Sequence, residues 1–185
     1  MSSDADERRW RVVSSSYPIS TPYLRLRADV VALPDGTIVE NYFVRESHGF
    51  CIVFALTPAA EVVLVRQYKH GIGRVVLELP AGALEEGEAP ADCAVRELAE
   101  ETGYAGRPPE LVADFLADPT NSNARFFIYL IRNAELHFAP APEPTEHITV
   151  ETVALTGIRD LIGPHGIEAG SQVAAVYSTL ARLGI

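Results

Sequence analysis

Apolar positions in the N-terminal half recur mostly with a period of two. From Tyr23 to Leu33, Leu24 and Leu26 alternate with Arg25 and Arg27, which predicts a strand. Pro34-Asp35-Gly36 signals a turn, and Thr37 to Glu46, with Ile38, Val39, Tyr42, Phe43 and Val44, predicts a second strand. Together they read as a β-hairpin or small β unit. Ahead of it lie a frayed tail, residues 1–9, a short apolar segment from Trp10 to Val13, and a Ser- and Pro-containing stretch to Pro22. Phe50 to Leu56 and Glu61 to Tyr68 are β-branched apolar runs of the kind that form buried strands; Val75 to Leu79 is a third, ended by Pro80.

The period then changes. Gly82 to Gly87 reads as a loop, and Pro90 suits the first turn of a helix, where its missing N–H is no loss. That helix runs to about Thr102, with Gly103 as its stop. Ala91, Ala94, Val95 and Leu98 supply a face to pack on the core. Leu111 to Leu116 and Arg125 to Ile131 predict two strands around a polar loop, Ala117 to Asn123. A proline-rich connection, Pro140 to Pro144, leads to a last strand, His147 to Leu155. A short helix near Ile158 to Ile162 follows. A final helix is then capped by Ser171, with Val173, Val176, Tyr177 and Leu180 on one face. Without a regular βαβ rhythm, this pattern predicts an α+β fold or a mixed-sheet sandwich.

At 185 residues the chain fits one domain, or two if both are small. The formal net charge of −10 leaves no basic footprint for nucleic acid and disfavours an anionic membrane surface. The two cysteines, Cys51 and Cys93, form no CxxC spacing. The start is polar, and no apolar run comes near the length of a bilayer span. A soluble cytoplasmic protein is the expectation. Gly71-Ile72-Gly73 lacks the third glycine of a dinucleotide fingerprint, and no P-loop, HExxH or GxSxG is present.

Residues 82–104 stand apart. They hold seven acids and one base, Arg96. On a helix, Glu97 neighbours Glu100 and Glu101, and like charges at those spacings cost about 0.2–0.5 kcal/mol per pair. Clustered carboxylates suit Mg²⁺ or Mn²⁺, and Mg²⁺ commonly completes its shell with substrate phosphates. A solvated acidic helix face is the plainer alternative for three glutamates taken alone. The whole spacing, however, is G-x5-E-x7-R-E-U-x-E-E-x-G-U (U, bulky apolar), from Gly82 to Tyr104. Seven fixed identities match by chance with odds on the order of 10⁻⁷ or rarer at background frequencies.

This stretch is the Nudix box, and the chain resembles a Nudix hydrolase. The resemblance implies an α/β/α sandwich on a mixed sheet, and Mg²⁺- or Mn²⁺-dependent hydrolysis of a nucleoside diphosphate linked to another moiety. The flanks Val65-Arg66-Gln67-Tyr68 and Glu78-Leu79-Pro80-Ala81-Gly82 resemble ADP-ribose and ADP-sugar pyrophosphatases, as does Pro119, 15 residues past Tyr104. Trp10 to Glu46 resembles their N-terminal β unit, exchanged between subunits of a homodimer. The implied organisation is a tail over 1–9, a dimerising β unit over 10–46 and a hydrolase domain over 47–185. One departure is Lys69, where that subfamily has Arg; a guanidinium grips a diphosphate with two bonds and an ammonium is a point charge.

The resemblance also assigns roles. Glu97, Glu100, Glu101 and the Ala81 carbonyl are the implied metal ligands. Arg96 orients the glutamates, and Glu88 ties the loop to the helix start. Glu146 is the candidate general base, with Glu143 its competitor. Arg66 and Lys69 are expected at the diphosphate, Glu78 at the terminal ribose or holding the loop, and Trp10 on the base. The preferred reaction is ADP-ribose to AMP and ribose 5-phosphate; another sugar such as GDP-mannose, or a non-catalytic ADP-ribose-binding regulator, stays open.

Overall fold

A computed structural model describes residues 7–142 and 146–185. The chain sorts into two compact units: residues up to 47 with 116–124, and 48–115 with 125–185.

The first unit is a three-stranded antiparallel sheet in the order β1 (Arg11–Ser20), β2 (Arg25–Ala32), β3 (Ile38–Glu46). The expected hairpin is β2–β3. β1 was not foreseen, because its four serines and Pro18 carry no apolar alternation and every residue is exposed. It is an edge strand, where proline is tolerated, and its register shifts between Ser16 and Ile19. On β2 the buried Asp29 accepts from Ser15 Oγ at 2.6 Å and from Arg27 Nε at 2.9 Å. The Arg27 guanidinium holds that carboxyl below its ordinary range. Segment 118–123 lies along β3: the Arg45 N–H donates to Asn121 O at 2.8 Å, Tyr42 OH to Thr120 O at 2.6 Å, and Ser122 Oγ to Arg45 O at 3.0 Å.

The second unit runs β4 (Phe50–Leu56), β5 (Glu61–Lys69), β6 (Arg74–Glu78), β7 (Ala81–Ala83), α1 (Pro90–Thr102), β8 (Tyr104–Ala105), β9 (Glu110–Leu116), β10 (Arg125–Arg132), β11 (Glu135–Leu136), β12 (Ile148–Ala154) and α2 (Gly170–Leu183). A seven-stranded mixed sheet has the order β12-β5-β4-β10-β9, with β6 on β5 and β7 on β4. β4 and β10 are parallel; β12–β5 and β4–β7 are antiparallel.

Alternation along the buried strands sorts the core into two layers. Cys51, Val53 and Ala55 of β4 face one way, packing with Cys93, Ala94 and Leu98 of α1. Ile52 and Phe54 face the other, packing with Ala175, Val176 and Leu180 of α2. The two helices thus cover opposite faces of one sheet, an α+β sandwich of the implied kind. Each fully buried Leu or Ile contributes about 1.5–3 kcal/mol. Among the described residues no helix is long and apolar enough to cross a membrane.

Several local expectations need correction. Val95 points away from the core and is exposed; Cys93 takes the buried place. The buried stripe of α2 is Gln172, Ala175, Val176, Thr179 and Leu180, while Tyr177 is exposed. Ser171 does not cap α2; Ala169 holds the N-cap position, with no side-chain hydrogen bond. The loop from Gly82 begins inside β7, which escapes a sequence reading because Ala-Gly-Ala carries no strand signal.

Candidate active site

Helix α1 is set by its ends. Pro90 starts it, and Gly103 ends it at φ +75°, donating its N–H to Ala99 O. A Cβ on Gly103 would stand 2.2 Å from Phe138 O, so the last glycine of the motif is needed for conformation and for space. The first has a different reason: a Cβ on Gly82 would stand 1.9 Å from Glu97 Oε1. The Glu97 carboxylate therefore lies directly against the backbone of β7.

Arg96 gathers the acids around it. Its Nε and Nη2 meet the two oxygens of Glu88 at 2.8 and 2.9 Å. Its Nη1 reaches Glu97 Oε1 at 2.7 Å and Glu100 Oε2 at 3.1 Å, and Nη2 also donates to Ala83 O at 3.1 Å. The bidentate pair pulls the Glu88 carboxyl down to about 2. Loop, strand and helix are joined through one guanidinium.

The glutamates do not share one solvated face, as the helical spacing suggested. Glu97 and Glu101 are buried, 8% and 2% exposed, while Glu100 is exposed. Burial raises the Glu97 carboxyl above its ordinary range. It pushes Glu101 up to about 8, and the charges of Glu97 and Glu146 add to the rise. Glu101 Oε2 accepts the Ala81 N–H at 3.0 Å. Glu146, distant in sequence, thus stands within electrostatic reach of both buried carboxyls. Glu143 lies outside the described residues.

Among the described residues, no group of three or more His, Cys, Asp and Glu side chains stands at metal-binding geometry. Glu97 and Glu100 turn to Arg96, and Glu101 to the Ala81 amide. The donor set nevertheless fits a hard divalent cation. Two buried carboxyls, with Glu146 near them, are oxygen donors whose ionised forms burial disfavours; a cation would restore ionisation.

The expected substrate residues are dispersed. Lys69 Nζ donates to Gln67 Oε1 at 2.5 Å and pairs with Glu78 at 3.0 Å. These two line a cavity of about 410 Å³ with Ile72, Arg74 and Glu168. Its Arg74–Glu168 pair is bidentate, at 2.6 and 2.7 Å, and neither residue was singled out from the sequence. Arg66 pairs with Glu151 of β12, a partner invisible until the strands are aligned. Trp10 lies in the first unit, edge-on to Tyr42 at 5.5 Å, lining a cavity of about 330 Å³ with Arg27, Asp29 and Pro119. Cys51 and Cys93 are buried free thiols, their sulfurs 2.9 Å apart.

Comparison with known proteins follows the same division. The NUDIX domain model matches residues 48–172, more than half of the chain. The model described as nucleoside diphosphate sugar hydrolase N-terminal domain matches residues 10–44. The chain is similar to a methanol dehydrogenase activator of Bacillus methanolicus, 32% identical over 66% of this chain and 65% of the relative. It is 29% identical to an ADP-ribose pyrophosphatase of Bacillus subtilis over 65% of this chain and 64% of the relative. An ADP-ribose pyrophosphatase of Mycobacterium tuberculosis is 34% identical over 67% and 60%. These matches span slightly less than two thirds of each relative's length. A crystal structure of an ADP compounds hydrolase shares the fold, with TM-score 0.84 over 95% of both chains at 17% identity.

Proposed function

The chain belongs to the Nudix family, and on that footing we propose that it hydrolyses the diphosphate of a nucleoside diphosphate sugar, foremost ADP-ribose to AMP and ribose 5-phosphate. One observation carries the reading: the buried carboxyls of Glu97 and Glu101 on a helix joined to its preceding loop through Arg96, with Glu146 close enough to perturb both. The relatives named ADP-ribose pyrophosphatase support the choice of substrate class.

Glu97, Glu100, Glu101 and the Ala81 carbonyl would hold Mg²⁺ or Mn²⁺. When bound, such an ion neutralises phosphate charge and acidifies water. Arg96 fixes the Glu97 rotamer and anchors the loop through Glu88. Glu146 takes the proton of the attacking water as general base. Lys69 and Arg66 supply positive charge for the diphosphate, each released from a carboxylate partner as substrate arrives. Glu78 receives a ribose hydroxyl, and Trp10 stacks on the base.

The working form is a homodimer. The first unit exposes Trp10, Val12, Val13, Tyr17 and Phe43, each more than 40% exposed, and a small sheet with such a face needs something to pack on. The free cysteines suit a reducing cytoplasm. The test is a panel of nucleoside diphosphate sugars with Mg²⁺ or Mn²⁺, products identified by chromatography. ADP-ribose as the best substrate supports the reading, and preference for GDP-mannose would move the assignment to another sugar nucleotide. Tight binding of ADP-ribose without turnover would make the chain a sensor.

A further inference from the structure

Between β6 and β7 the backbone changes partners. β6 ends at Glu78 on β5, and β7 begins at Ala81 on β4. Leu79 and Pro80 bridge the gap outside both strands, yet both are buried, Leu79 completely. A buried peptide outside a ladder still needs partners for its N–H and C=O. Pro80 has no N–H to satisfy, and its carbonyl accepts from the Val53 N–H at 2.8 Å. Leu79 has both groups, and both go to one side chain. Gln172 Oε1 accepts the Leu79 N–H at 3.0 Å, and Gln172 Nε2 donates to the Leu79 carbonyl at 3.2 Å.

Gln172 is only 4% exposed and comes from α2, on the face of the sheet opposite α1. A primary amide is the neutral group that can donate and accept at once in this geometry; a carboxylate only accepts, and a thioether does neither well. The clamped residue sits between two assigned positions. One step before it is Glu78, paired with Lys69. Two steps after it is Ala81, whose N–H is spent on Glu101. Leu79 is held by Gln172, Pro80 by Val53 and Ala81 by Glu101, so each residue of the segment is anchored by at least one hydrogen bond.

We infer that Gln172 is a positioning residue of the hydrolytic site, acting from the far side of the sheet by fixing the Leu79 peptide and through it the Ala81 carbonyl and Glu78. The inference rests on the metal-dependent reading of the site given above. Residues that orient ligands from behind typically cost about 10- to 100-fold in metal affinity or activity when removed. A plain packing role would lower thermal stability and leave affinity and turnover alone.

Full-length Q172M and Q172N are compared with wild type and with L180V, which loosens the packing of α2 in the same core but keeps the Gln172 amide and its two hydrogen bonds to Leu79. The Mn²⁺ dissociation constant is measured by calorimetry without substrate; kcat and KM are then measured on the best nucleoside diphosphate sugar. The expected result is a 10- to 100-fold weaker Mn²⁺ affinity and a similar fall in kcat for Q172M, with L180V unchanged in both. Q172N keeps the amide one methylene short and carries the same comparison should Q172M not fold. Wild-type Mn²⁺ affinity and kcat in the folded Gln172 variants would overturn the inference, whatever the melting temperature does. If wild type binds Mn²⁺ but hydrolyses no sugar nucleotide, the substrate reading falls while the affinity comparison still judges Gln172. A wild type that binds no Mn²⁺ overturns both.

Discussion

Replacing Arg96 with Met should be the most damaging single change around the glutamate cluster. The guanidinium makes a bidentate pair with Glu88 at 2.8 and 2.9 Å and a further bond to Glu97 at 2.7 Å. The side chains of Glu88 and Glu97 are only 13% and 11% exposed, against 25% for Arg96. The Glu100 contact is half exposed and contributes a few tenths of a kcal/mol. Hydrogen bonds to charged groups are worth about 1.5–3 kcal/mol when buried, so partial exposure brings each of the two inner carboxylates to about 1–1.5 kcal/mol. Removing the cation also leaves Glu97 buried without its partner, which raises the cost toward that of breaking a buried pair. The expected loss for R96M is about 3 kcal/mol in chelator, read from urea unfolding at neutral pH. Lysine keeps the charge but not the fork, so R96K should lose about 1–2 kcal/mol. Added Mg²⁺ should recover part of the R96M loss, because a cation bound only to the native state stabilises it. An R96M chain within about 0.5 kcal/mol of wild type in chelator would refute this reasoning, since the network would then carry no net energy.

Three further outcomes are expected. Gly82→Ala puts a Cβ 1.9 Å from Glu97 Oε1 and must displace that carboxylate; kcat should fall by about 10²-fold while circular dichroism stays native. The Glu88 carboxyl lies near 2 in the folded chain against an ordinary 4.5, so its pairing stabilises the fold above about pH 4.5 and is lost as pH falls toward 2. Unfolding free energy should therefore drop less steeply over that window in E88Q than in wild type, and equal slopes would dismiss the pair as a contributor. Glu146→Gln should lower kcat by about 10²–10⁴-fold with KM little changed. Glu143→Gln should do much less, and the reverse order would make Glu143 the base.

Where a residue's role was set by local backbone chemistry, the sequence was a sufficient guide. Pro90 and Gly103 bracketed α1 correctly because a missing N–H and a positive φ are properties of those residues alone. The motif marked the candidate site because its identities are spaced along one helix and its preceding loop. Burial was harder to read. Glu97 and Glu101 looked like a solvated face, since helical periodicity counts charges as outward; only the sheet and β7 show that they are enclosed. β1 was missed for the opposite reason: an edge strand held by backbone pairing and the Ser15–Asp29 bond needs no apolar pattern. Gln172 drew no notice in the sequence, because nothing local marks a glutamine whose partner lies 93 residues away. The partners of Arg66 and Arg74, Glu151 and Glu168, are likewise products of strand register and helix placement.

In the proposed reaction the enclosed glutamates of α1 drive metal-dependent cleavage of a sugar nucleotide diphosphate. Its most direct measurement is AMP and ribose 5-phosphate release from ADP-ribose by wild type and by Glu101→Gln, each with Mg²⁺ and with excess chelator. Wild type with Mg²⁺ should release equimolar products and none in chelator, and Glu101→Gln should lose at least about a hundredfold with its fold intact, on the order expected for loss of a core catalytic group. Undiminished wild-type turnover in chelator, or a fully active Glu101→Gln, would contradict it.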